Sequence, residues 1–165
     1  QYSLTNGFSM ASGNVTYDNI SFSVTSQDAS PHGMSFNSDG TKMFFTGTAS
    51  DEVHQYSLTN GFSMASGNVT YDNISFSVTS QDASPHGMSF NSDGTKMFFT
   101  GTASDEVHQY SLTNGFSMAS GNVTYDNISF DHSGQETLAY GVEFNTDGTK
   151  MFVIGNGRSV YQYSF

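Results

Sequence analysis

Residues Gln1–His54 recur letter for letter as Gln55–His108, and a third copy starts at Gln109 and stays identical through Phe130 before it diverges. A fixed period of this kind marks a repeat architecture, in which each unit is one supersecondary module that buries its apolar faces against its neighbours. The chain therefore divides into three units, 1–54, 55–108 and 109–165. Because the copies share every turn signal up to Phe130, the fold of one unit predicts the fold of all three.

Four strands are legible in each unit. His32–Asn37 alternates, with Met34 and Phe36 on one face. Asp39-Gly40 follows as a hairpin turn, because glycine takes positive φ without steric cost. Lys42–Thr46 is apolar on both faces, and Val53–Leu58 comes after a polar turn. Asn60-Gly61 opens a looser connection to the longest strand, Asn68–Val78. The connections are short, so neighbouring strands pair antiparallel. On the long strand of the first copy, Val15 and Tyr17 face one way and Ile20 and Phe22 the other. A sheet apolar on both faces must be covered on both, and radial stacking of four-stranded blades around an axis does this while leaving only short edges.

The strings GMSFNSDGTKMFFTG (Gly33–Gly47) and VHQYSL (Val53–Leu58) resemble the blade hairpin and following strand of YVTN-type and TolB-like β-propeller repeats. The third copy keeps them as GVEFNTDGTKMFVIG and VYQYSF. The resemblance implies an all-β propeller of four-stranded antiparallel blades. It also implies a scaffolding, adhesion or binding role, since such repeats occur in large secreted bacterial proteins and phage structural proteins. An extracellular or virion-associated location is expected on the same ground. The 54-residue unit is longer than the usual blade, and the excess lies in Thr59–Gly67.

Counting strands gives about three blades. The first long strand, about Asn14–Val24, lacks the three strands that should precede it, and the last three strands, about Tyr140–Phe165, lack a fourth. Gln1–Leu4 duplicates the final strand. Propellers typically hold about 4 to 8 blades, so self-association is expected, with the N-terminal long strand of one chain completing the last blade of another. A homodimer gives six blades, inside the common range, and a homotrimer gives nine. The start without Met, in mid-repeat, reads as a processed, truncated or engineered chain.

Composition limits the partners. Fifteen acidic residues against four basic ones give a formal charge of −11. That excludes the clustered Lys and Arg that nucleic acid requires and disfavours an anionic membrane surface. The aromatic share of 15 % suits pleated sheets. There is no Cys, so disulfides and thiolate metal sites are ruled out.

The candidate ligand-binding residues lie in the loops of one rim: Asp28, His32, Asp51 and Glu52, repeated as Asp82, His86, Asp105 and Glu106. Rings of carboxylate and imidazole suit a cation or sugar hydroxyls. The competing reading makes them solvated loop groups, and the third copy weakens the functional one by replacing His32 with Tyr140. Asp39-Gly40 supplies one carboxylate and reads as a turn, where a calcium loop needs several oxygen ligands. The Lys residues at strand starts (Lys42, Lys96, Lys150) read as solvated gatekeepers. Asn14-Val15-Thr16 and Asn19-Ile20-Ser21 are formal glycosylation sequons, with one Asn expected to face into a blade. No nucleophile elbow, zinc-protease motif or phosphate loop is present. No metal or cofactor is expected. The sequence reads as a non-catalytic scaffold or multivalent binding module for glycan or protein. The alternative is an engineered or recently amplified repeat protein with no ligand of its own.

Overall fold

The computed structural model describes all 165 residues as thirteen β-strands with no helix. β1 (Tyr2–Leu4) and β2 (Val15–Tyr17) form a short hairpin. β3 (Pro31–Phe36), β4 (Lys42–Gly47), β5 (Glu52–Leu58) and β6 (Val69–Ser77) form one antiparallel sheet in chain order. β7 (Pro85–Phe90), β8 (Lys96–Gly101), β9 (Glu106–Leu112) and β10 (Val123–Asp131) repeat it. β11 (Ala139–Phe144), β12 (Lys150–Gly155) and β13 (Val160–Ser164) form a three-stranded sheet that ends on an open edge.

The first strands of the three sheets, β3, β7 and β11, lie side by side at the inner edge. Their glycines permit this approach. A Cβ on Gly33 would collide with the backbone of His86, and one on Gly87 with the backbone of Gly141. Each middle strand is apolar on both faces and feeds two cores. Met43 and Phe45 enter one cluster with Tyr56 and Leu58, while Phe44 turns the other way to meet Met88, Met97, Phe99 and Tyr110. A third cluster, Val107, Ala139, Val142, Met151 and Val153, joins the second sheet to the third. The layers are therefore radial blades glued face to face.

The long outer strand carries an irregularity that sequence alternation alone did not reveal. Tyr56 pairs with Tyr71 but the adjacent Gln55 pairs with Ile74, so Asp72 and Asn73 are extra residues, with Asn73 at φ 55°. On either side of the bulge Val69 and Tyr71 face one core and Ile74 and Phe76 the next, the faces that alternation assigns.

Two expectations need correcting. The N-terminal outer strand is not extended from Asn14 to Val24. Its ladder covers only Val15–Tyr17; beyond it Gln1 accepts from the Asp18 N–H at 3.1 Å and donates to the Ile20 carbonyl at 2.7 Å, and Ser21–Val24 have no strand beside them. The loop after β5 takes its positive φ at Phe62, 57°, and at Gly67, 77°. Asn68 clamps that loop: its Oδ1 accepts from the N–H of Asn60 at 2.6 Å and its Nδ2 donates to the Asn60 carbonyl at 2.9 Å. Two of the three strand-start lysines, finally, are ion-paired, and Lys150 is not. Lys42 Nζ lies 2.8 Å from Asp72 Oδ2, which also accepts from Gln55, while Asp72 Oδ1 accepts from Ser57; Lys96 and Asp126 repeat the cluster.

Candidate functional site

The loops between sheets and the loops between the second and third strands of each blade meet at one rim, as the blade topology requires. Asp28 sits at that junction, 2 % exposed. Its Oδ1 accepts from the Ser30 N–H at 2.6 Å, and its Oδ2 accepts from the N–H of Ala49 and from both the N–H and hydroxyl of Ser50. Burial pushes the Asp28 carboxyl up, but these bonds outweigh it and hold the group below the usual carboxylate range. Asp82 makes the same set with Ser84, Ala103 and Ser104, and Glu136 reaches Leu138 and Gly157 in the third blade. These carboxylates tie one rim loop to another, and their acceptor capacity is spent on the protein itself.

Glu52 and Glu106 stand 3.9 and 3.8 Å from the imidazoles of His54 and His108, two buried histidines that were not among the expected site residues. Burial lowers the pKa of both, and the nearby Glu and Asp charges only partly oppose it. Asp51 and Asp105 occupy the loop corner at φ 52° and 56°. Burial, then the charges of Asp28 and Asp82, raise the Asp51 pKa. No group of three or more His, Asp or Glu side chains is disposed to hold a metal ion.

The candidates that do converge are His32 and His86. Their ring centroids are 4.1 Å apart, and Tyr140 continues the series 5.3 Å beyond His86. The three rings and Gly33 line a recess of about 450 Å³ at the inner edge of the sheets. The replacement of histidine by Tyr140 thus extends an aromatic staircase and does not interrupt it. His86 donates from Nδ1 to the Ser84 carbonyl at 2.8 Å, which fixes the orientation of its ring. Burial, then the neighbouring His86 ring, lower the pKa of His32. Tilted aromatic rings in series beside backbone polar groups suit contact with a sugar face or a peptide.

A second, larger cavity was not among the sites expected from the sequence. It measures about 690 Å³ and lies between the second and third sheets, lined by Phe98, Gln109, Phe130, Phe144, Gly148 and Phe165 among others.

The sequon asparagine Asn14 is 5 % exposed and spends its side chain on the Asn6 backbone in its own loop, the role Asn68 plays one copy on. Reaching it with a glycan would require unfolding that loop.

Solved structures with similar backbones share the propeller architecture at low sequence identity. A functionally unknown protein from Desulfotomaculum acetoxidans matches at TM-score 0.58 and 15 % identity, over 82 % of this chain and 38 % of its own. The β-propeller domain of Myceliophteria thermophila Cps50 (Swd1) matches at 0.54 and 11 %, over 82 % and 38 %. The periplasmic gluconolactonase PpgL of Pseudomonas aeruginosa matches at 0.51 and 14 %, over 81 % and 36 %. The chain is thus a β-propeller segment spanning well under half the length of each. No family model matches the sequence, and no curated protein does either.

Proposed function

We propose that the chain is a non-catalytic propeller scaffold that closes its ring with further copies of itself and presents the His32–His86–Tyr140 staircase as a repeated contact surface for glycan or protein. The observation that carries this reading is the state of the two ends. Tyr2, Phe8, Met10, Tyr17 and Phe22 are exposed at one, and Ile154, Val160 and Phe165 at the other. Apolar groups concentrated at matched ends are the mark of an interaction surface, and head-to-tail contacts close into rings when the rotation permits. Two copies make six blades and three make nine. Equivalent rim sites in a closed ring would add avidity to weak single contacts.

The commitment of Asp28 and Asp82 to loop bonds supports a binding or structural role over acid–base chemistry. The gluconolactonase name of one structural neighbour motivates a direct check, and lactone hydrolysis above background would count against this reading. Light scattering across a concentration series tests closure: masses at two or three times the 17.8 kDa chain are expected, and a monomer at every concentration would refute it. A glycan array read against a His32→Ala/His86→Ala variant tests the rim. The verbatim copies favour a second reading, an engineered or recently amplified repeat protein without a ligand, which a blank array would support.

A further inference from the structure

Within the ring-closure reading, we infer that β1 is a placeholder for β13 of a second copy, and that the cavity between the second and third sheets is the seat of that copy's Thr5–Gly13 loop. The argument rests on the internal copies, which show what a finished blade looks like. In the second blade, Phe116 lies over the turn glycine Gly94 and packs at a tilt against Phe90, ring centroids 5.4 Å apart, while the N–H of Met118 donates to Gln55 of the preceding blade at 2.8 Å. In the first blade, Phe62 covers Gly40, and the Met64 N–H donates to Gln1 at 3.0 Å.

The third blade has the receiving half alone. Gly148 has nothing over it, and it lines the large cavity together with Phe144 and Gln109, the counterparts of Phe90 and Gln55. Its lysine is also short of a partner. Lys150 reaches Ser164 at 3.4 Å but has no carboxylate, where Lys42 and Lys96 each hold an aspartate at 2.8 Å. The N-terminal hairpin has the complementary half. Phe8 and Met10, the counterparts of Phe116 and Met118, are fully exposed and 78 % exposed. Asp18, the counterpart of Asp72 and Asp126, touches Ser3 and no lysine. Cavity, uncovered glycine and unpaired cation at one end thus correspond to aromatic, methionine and carboxylate at the other.

The strand exchange that joins them doubles the ladder. β1 gives β2 three pairs: Tyr2↔Tyr17, Ser3↔Thr16 and Leu4↔Val15. β13 carries the full strand sequence, so the register of β5 on β6 places Phe165 opposite Val15, Ser164 opposite Thr16 and Tyr163 opposite Tyr17. Beyond the bulge it places Gln162, Tyr161 and Val160 opposite Ile20, Ser21 and Phe22. Releasing β1 exposes little that is not exposed already, since Tyr2 is 64 % and Leu4 39 % open. The occupant is therefore a second copy of this chain, and Gln1–Leu4 competes with it.

The test is a cysteine pair in an otherwise Cys-free chain. Ser164→Cys/Thr16→Cys is expected to give a covalent species of two or more chains under oxidation, while Ser3→Cys/Thr16→Cys locks β1 onto β2 and keeps the chain monomeric. Deleting Gln1–Leu4 is expected to tighten association by about tenfold or more, and Phe8→Ser to weaken it by about 100-fold. Association without the Ser164–Thr16 cross-link would overturn this interface and leave ring closure standing through another surface. A monomer throughout, the outcome if residues joined to Phe165 and not a second copy are the natural occupant, would overturn both.

Discussion

The N-terminal hairpin and the β9–β10 hairpin are built from the same 22 residues, Gln1–Phe22 and Gln109–Phe130, yet they differ in almost every structural respect. Tyr110 is fully buried and Tyr2 is 64 % exposed; Met118 is 1 % exposed and Met10 is 78 %. The outer strand runs nine residues in one and three in the other. The β5–β6 hairpin is intermediate, with Met64 half-buried. What differs is the company each hairpin keeps. β10 has a complete β9 beside it and blades around it, whereas β2 has only the four residues before its loop. Local sequence sets the loop itself, since Phe8, Phe62 and Phe116 all adopt φ between 53° and 57°, but neighbours set strand length and burial.

The contrast is broken most sharply by one substitution made twice. Met118→Ala removes a fully buried side chain and is expected to cost about 2–4 kcal/mol. Met10→Ala, at concentrations where the chain is monomeric, should stay within about 0.5 kcal/mol. Paired urea denaturation curves measure the difference, and equal losses would mean that the two hairpins share one environment.

Acid should act on the complete blades and spare the hairpin. His54 and His108 are buried with depressed pKa values, so the unfolded chain binds protons that the folded one refuses. Their contribution is whole above the unfolded value of 6.5 and is lost as pH falls below it. Asp72 and Asp126 are likewise depressed, by hydrogen bonds that overcome burial, and their contribution disappears as pH falls below 3.8. A melting temperature that falls stepwise through these two windows is expected, with the first step reduced in a His54→Gln/His108→Gln variant that still folds, the remainder belonging to His32.

A turn glycine sharpens the comparison further. Gly94 and Gly148 share φ values of 72° and 70°, but only Gly94 lies under a phenylalanine. Gly148→Ala carries the backbone cost alone, about 1 kcal/mol. Gly94→Ala adds displacement of Phe116 and is expected to cost about 2–3 kcal/mol.

The smallest effect changes sign between copies. Thr46 Oγ1 is buried without a partner, whereas Thr100 in the next blade contacts His132 at 3.1 Å, the residue that stands where the first blade has Val78. Thr46→Val should stabilise by up to about 1 kcal/mol and Thr100→Val should destabilise by a similar amount. Thermal melts of the two variants check this.

Much of the architecture was readable from the chain. Asp39-Gly40 gave the first hairpin, the two-faced Lys42–Thr46 strand gave radial stacking, and the repeat gave the blade count. The site was only partly readable. His32 and His86 do converge, but nothing in their spacing distinguished them from Asp28 and Asp82, whose side chains are absorbed by Ser50 and Ser104. The cavity went unseen because its lining comes from two blades, although an aromatic and a methionine repeated in every polar loop were a signal that such a seat existed.

The sequence by itself determined the strands, their turns and their two apolar faces, because these follow from side-chain alternation and local backbone preference. Only the tertiary structure decided which identical residues are buried. Burial depends on what lies across the gap, and the last gap in this molecule lies at the ends of the arc, beyond the reach of any local pattern.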